Sequence, residues 1–162
     1  MRAEPLTAEA FAPFGQVVSC GAAGREANQG TAQRFDFAAR VENLRPHAKA
    51  NLCAIRSQPR ALPLKVKLLE RHPHSSQAFL PMVASRVLVI VAPDAANGGP
   101  DVSRLRAFIA TQGQGFNYAP GTWHHPLVVL DSIAELAMLV FEDGTEGDCE
   151  EFPLATSLLV EG

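Results

Sequence analysis

Apolar positions along this chain come in short β-branched and aromatic runs, each interrupted by Gly, Pro or Asn before a helical period can establish itself. That texture predicts strands over residues 16–20, 34–37, 50–57, 66–70, 77–82, 86–92, 105–110, 115–118, 125–130 and 133–142. One short helix is expected at residues 7–11, where Thr7 offers a capping oxygen and Pro13 ends the run. Residues 21–30, rich in Gly, Ala and Asn, read as a loop. So do residues 94–101, because Gly98-Gly99-Pro100 cannot continue a ladder. Many short strands with turn signals between them point to an all-β sandwich or barrel carrying a short N-terminal helix.

The loop at 94–101 has the composition of a linker, but the roughly 60 residues beyond it carry only half of the polar residues singled out below, so residues 1–162 are taken as one domain. Composition changes the picture only by exclusion. With 47% apolar and 19% charged residues the chain is far from a disordered one. A net charge of -3, with its Lys and Arg scattered, disfavours nucleic acid as a partner, since phosphate binding needs clustered cations. No apolar run approaches the roughly 20 residues that span a bilayer, so a cytoplasmic protein with no membrane partner is expected. Cys20, Cys53 and Cys149 are odd in number and far apart, which reads as reduced thiols rather than a disulfide or zinc framework.

The chemistry concentrates in two segments. Leu69-Glu70-Arg71-His72-Pro73-His74-Ser75-Ser76-Gln77-Ala78-Phe79 is answered some fifty residues later by Gly121-Thr122-Trp123-His124-His125-Pro126. Imidazoles, a carboxylate and a carboxamide are the groups that bind divalent metals or move protons, and only folding can bring the two segments together. A strand puts residues i and i+2 on one face, so Glu70 and His72 share a face that Arg71 leaves. Pro73 belongs at a strand end or edge. The spacing alone therefore allows two ligand sets, one led by Glu70 and His72, the other by His72 and His74. Neighbours on a strand face opposite ways, which separates His124 from His125.

These segments resemble the paired motifs of the cupin superfamily, which on a small double-stranded β-helix, or jelly-roll, barrel bring two His, a Glu and a third His to one metal. Gly113, Gly121 and His124 fit the second motif, with Ala119 where its Pro stands. Setting Gln77 at the Glu position of the first motif puts Glu70 and His72 at its two His positions. The resemblance thus implies a metal tetrad of Glu70, His72, Gln77 and His124. More narrowly, the chain resembles the ureidoglycolate lyase family, through Leu6-Thr7-x-Glu9-x-Phe11-x-x-Phe14-Gly15, Asn28-x-Gly30, Glu70-Arg71-His72-Pro73-x-x-x-Gln77-Ala78-Phe79-x-Pro81-Met82, Leu105-Arg106-Ala107-Phe108, Gly115-x-Asn117-Tyr118 and Trp123-His124-His125-Pro126-Leu127.

What that resemblance implies is cleavage of (S)-ureidoglycolate to glyoxylate and urea, in purine nitrogen catabolism by way of allantoin. Such an elimination needs a base for the hydroxyl proton, a donor for the departing urea nitrogen and a cation for the carboxylate. On this reading His124 and His72 hold substrate oxygens, directly or through a metal, and Glu70 or His125 takes the proton. An arginine fork is expected on the carboxylate. Arg34, Arg56, Arg71 and Arg106 compete for that role, with Arg34 and Arg106 ranked ahead. Gln77, Asn117, Tyr118 and Trp123 are taken as further substrate-facing residues. The N/O donor set suits a divalent metal, nickel by resemblance, and no organic cofactor is expected. A two-fold homodimer is implied too, and the apolar tail over residues 154–160 is read as docking on a neighbour or closing its own barrel. The competing reading is a cupin without this activity, such as a small-molecule sensor or a sugar-nucleotide epimerase.

Overall fold

The computed structural model describes residues 1–21, 23–83 and 85–162. The chain runs β1 (Glu4–Pro5), α1 (Ala8–Phe11), β2 (Gly15–Val18), β3 (Arg25–Ala27), β4 (Ala32–Arg34), β5 (Lys49–Ser57), β6 (Leu64–Arg71), β7 (Gln77–Val83), β8 (Val87–Ala92), β9 (Arg106–Ala110), β10 (Gly115–Tyr118), β11 (Trp123–His124), β12 (Val128–Val129), β13 (Ala134–Glu142) and β14 (Glu150–Val160). The expected all-β class is the observed one. The helix forms where the cap signal put it: Thr7 Oγ1 accepts from the Ala10 amide at 3.2 Å, and Phe11 drops its ring into the core.

Seven strands form one sheet in the order β1-β9-β8-β11-β6-β14, with β12 also on β8, and five form the other in the order β2-β10-β7-β13-β5. The two sheets share one core: Val87, Val89 and Val91 of β8 meet Phe79, Phe116, Tyr118 and Leu136 from the opposite sheet. The alternate residues Leu88, Ile90 and Ala92 join a second cluster with Val66, Leu69, Trp123 and Val128 on the outer side of the larger sheet. Burial on both faces is why residues 87–92 form an unbroken apolar run, without the alternation of a half-exposed strand. Strands on either side of loop 94–101 interleave, β9 pairing with β8 and β13 with both β5 and β7.

Four sequence expectations shift, one of them the strand expected over residues 125–130, which forms only at Val128–Val129. The loop expected over residues 21–30, in which Ala22 lies outside the described residues, contains β3; it pairs with β4 across a turn with left-handed backbone at Asn28, Gln29 and Gly30. The strand expected at 34–37 accordingly lies earlier, at Ala32–Arg34, and Phe37 is fully exposed. The apolar tail is part of β14, which pairs antiparallel with β6 and whose end lies against the N-terminus through the Ala3 amide and Glu161 carbonyl at 2.9 Å. Pro153 interrupts its strand pattern, and the register shifts between Pro153 and Leu158. No helix among the described residues is long and apolar enough to cross a membrane. Cys20, Cys53 and Cys149 are free.

Candidate active site

The site forms where β6, β7, β10 and β11 converge. In the pairing of β11 with β6, His124 stands opposite Glu70, so the two side chains project to the same face. Their Oε1 and Nε2 atoms lie 3.5 Å apart. His72 follows two residues after Glu70, just past the end of β6, and its ring stacks on that of His124 with centroids 5.7 Å apart and planes 22° off parallel. Donor atoms of Glu70, His72 and His124 all fall within 4.8 Å of one another. Pro73 ends the strand directly after His72, which turns the chain away; His74 is exposed and takes no part.

Both imidazoles are held from behind. His72 Nδ1 meets the Asp148 carbonyl at 2.8 Å, and His124 Nδ1 meets the Thr122 carbonyl at 2.8 Å. A carbonyl only accepts, so each Nδ1 carries the proton and each Nε2 turns into the site. Tyr118 packs its ring flat on His124, with centroids 4.1 Å apart and planes 13° off parallel. Gln77 opens β7 beside His72, its Nε2 2.9 Å from His72 Nε2 and 3.3 Å from Met138 Sδ.

Charge follows from this packing. Burial pushes the Glu70 carboxyl up, but the contact with His124 and the neighbouring imidazoles outweigh it, leaving Glu70 below its ordinary value and ionised. Burial, reinforced by His124, pulls His72 below the ordinary imidazole value. Burial and the Glu70 charge hold the Tyr118 phenol protonated. The site at neutral pH is therefore a carboxylate beside a neutral His72 and a neutral phenol.

These residues fit a divalent metal. Two Nε2 atoms and a carboxylate oxygen are an N/O donor set, and imidazoles fixed through Nδ1 to carbonyls are oriented as metal ligands are. His124 Nε2 is buried with no hydrogen-bond partner, since 3.5 Å to Glu70 is ion-pair reach only. Gln77, the fourth member of the expected tetrad, sits against the other three: its amide donates to His72, and its buried Oε1 has no partner.

Other expected residues are placed elsewhere. Arg34 is exposed, pairs with Asp36 and lines a cavity of about 650 Å³ with Val18, Leu80 and Gly115, away from the triad. Arg106 is held by Glu4 and the Ala10 carbonyl over the Phe108 ring. Arg56 pairs with Glu135. Arg71 faces away from Glu70, with its guanidinium 4.3 Å from the Trp123 ring centroid, so Trp123 belongs to the outer cluster and not to the site. Strand alternation turns Asn117 away from Tyr118, and its amide donates to Gln16 Oε1 and the Arg40 carbonyl. His125 also turns aside. Its Nδ1 meets the Pro126 carbonyl at 2.7 Å, and it lines a cavity of about 480 Å³ with Arg60, Lys65 and Lys67, still within the field of Glu70. The contributions of Asp148, Thr122 and Met138 had no signal in the sequence, because two act through backbone carbonyls and one is an ordinary core residue.

The family model described as ureidoglycolate lyase matches residues 1–161. A ureidoglycolate lyase of Burkholderia cepacia is 43% identical over 99% of this chain and 90% of its own. That of Brucella melitensis biotype 2 is 43% identical over 92% of this chain and 86% of its own, and that of Pseudomonas savastanoi pv. phaseolicola 37% over 97% and 91%. Among solved structures, the chain is similar to a dTDP-4-dehydrorhamnose 3,5-epimerase from Elizabethkingia anophelis at 13% identity and a TM-score of 0.42, covering 62% of this chain and about half, 53%, of that one. On the full-length family match and these relatives, the chain belongs to the ureidoglycolate lyase family and is a lyase.

Proposed function

We propose that this protein cleaves (S)-ureidoglycolate into glyoxylate and urea. The observation that carries the mechanism is the apposition of half-buried Glu70 and buried His124, 3.5 Å apart and fixed as opposed residues of two paired strands. The reaction moves one proton from the hydroxyl oxygen to the urea nitrogen while the C–N bond breaks and the C=O bond forms. The carbon is already at the aldehyde oxidation level, so no oxidant is consumed. Glu70, ionised beside His124, takes the hydroxyl proton. Glu70 then returns that proton to the departing nitrogen, so that one carboxyl relays what the substrate loses and regains, while the Nε2 lone pair of His124 is kept for the substrate oxygens or the metal that would hold them. His72 Nε2 faces the same space and orients the substrate oxygens, while the Tyr118 ring keeps His124 from rotating and excludes water.

Glu70, His72 and His124 would hold the divalent metal, nickel on the resemblance, and bound there it would polarise the substrate hydroxyl and carboxylate oxygens. None of the four arginines ranked from the sequence faces the triad; Arg60, in the cavity that His125 shares with Lys65 and Lys67, acts on His125 as Glu70 does, and it is assigned the long-range attraction of the carboxylate. Within a cell the enzyme acts in the cytoplasm on the ureide that allantoin breakdown yields, as a homodimer. Support for a dimer comes from the outer face of the smaller sheet, where Leu52, Leu80 and Met82 are exposed together. The sensor or sugar-nucleotide epimerase reading is not favoured by a family match over residues 1–161.

The test is direct. Purified protein given racemic ureidoglycolate should release urea and glyoxylate in equal amounts and leave the (R) enantiomer. Absence of both products from folded, metal-supplemented protein overturns the reading.

A further inference from the structure

Three loops lock together behind His72. Residues 42–44 are tied to the link between His72 and Gln77: the Leu44 amide donates to the His74 carbonyl at 2.8 Å, the Ser76 amide to the Glu42 carbonyl at 3.0 Å, and the Glu42 amide to Ser76 Oγ at 2.9 Å. Next along the chain, Arg45 reaches into the third loop, with its Nη1 2.8 Å from Asp143 Oδ2 and its Nη2 on Asp148 Oδ1. The Asp148 carboxylate also accepts the amides of Asp143 at 3.1 Å and Gly144 at 2.7 Å, closing the turn at residues 143–148. All three charged side chains are largely covered, at 15% exposure or less. The backbone carbonyl of that same Asp148 accepts from His72 Nδ1.

We infer that Arg45 and the Asp148 carboxylate are positioning residues for the reaction: they fix the turn whose Asp148 carbonyl selects the Nδ1–H tautomer of His72. One residue thus does two things. Its carboxylate anchors the turn, and its carbonyl dictates which ring nitrogen keeps a lone pair. With the proton on Nδ1, His72 Nε2 points its lone pair at the site, where the Gln77 amide now donates to it. If the turn slides away, the ring loses its acceptor, and the Nε2–H tautomer presents a proton where a lone pair is required. Groups that orient a working imidazole in this way typically change affinity or activity by roughly 10- to 100-fold. Arg45 touches neither substrate space nor His72, so its effect travels through Asp148.

The experiment is carried out on full-length protein labelled with ¹⁵N in histidine. Imidazole ¹⁵N shifts in chelator-treated samples report the His72 tautomer with neither metal nor substrate present. Wild-type protein should show Nδ1–H at His72. Arg45→Met and Asp148→Ala should shift it toward a mixture and lower kcat by about tenfold with a smaller change in KM. Asp148→Asn, whose amide oxygen still caps the turn, should restore the tautomer and most of kcat. Folded variants with a lower Tm but an unchanged tautomer and unchanged kcat overturn the inference and leave the clamp merely structural. Should Asp148→Ala not fold, Arg45→Met and Asp148→Asn decide the matter alone. The kinetic arm rests on the proposed lyase reaction; a tautomer that moves in protein lacking lyase activity refutes that reading and not this one.

Discussion

Glu70 and His124 lie 54 positions apart in the chain yet stand as direct cross-strand partners, with carboxylate and imidazole 3.5 Å apart in the protein interior. A pair of this kind is partly shielded from solvent screening, and the contact with His124 helps hold Glu70 ionised.

Removing either member should separate chemistry from folding. We expect His124→Ala and Glu70→Gln to lower kcat by roughly 10²- to 10⁴-fold, the usual contribution of a positioned acid or base. Circular dichroism should stay close to wild type. A well-folded His124→Ala enzyme with near-normal urea release removes His124 from the reaction.

Metal content follows from the triad. Protein purified without an affinity tag or chelator should carry one divalent ion per chain, and His72→Ala or Glu70→Ala should lose it, because two donors do not hold what three hold. Elemental analysis reads this directly. Full activity after exhaustive chelation, with the metal shown to be gone, contradicts the metal reading.

Tyr118 should matter through its ring. The side chain is buried and stacked on His124, so Tyr118→Ala should cost about 3–5 kcal/mol of stability together with most of the turnover. Tyr118→Phe should retain both. Denaturant titration and kcat for the two variants make the comparison, and a Phe variant as inactive as the Ala variant assigns the hydroxyl a chemical role instead.

Acid should destabilise the metal-free protein earlier than its carboxylates alone require. His72 and His125 are both held below 6.5 in the fold, chiefly by burial. Once the pH falls below 6.5, the unfolded chain binds protons at these positions that the folded chain refuses, so stability present above 6.5 is lost as pH drops toward the depressed folded values. Melting curves in chelator between about pH 7.5 and pH 5.5 should show the decline, and His125→Gln should flatten it. A melting temperature that does not change over that interval is incompatible with the buried neutral imidazoles.

Substrate affinity should depend on the cationic cavity. Arg60→Ala is expected to raise KM with little change in kcat, since it removes charge acting equally on ground and transition states. Arg34→Ala and Arg106→Ala, whose side chains are engaged with Asp36 and with Glu4, should leave KM near its wild-type value.

The sequence by itself determined much of this protein. Short apolar runs cut by Gly and Pro set the all-β class, because strand formation depends on local texture and turn chemistry. Thr7 capped its helix as read, and the i, i+2 spacing of Glu70 and His72 put both on one face because strand alternation is a local rule. The tertiary structure decided what depends on distance through space. It opposed His124 to Glu70, made Gln77 a neighbour of the triad, turned Asn117, Trp123 and His125 elsewhere, and engaged Arg34 and Arg106 with acids of their own. It also supplied the carbonyls of Asp148 and Thr122, which every residue type carries and no side-chain pattern can advertise. Register and sheet partners are settled only when distant strands pair, and a shift of one residue would reverse every face on which these assignments rest.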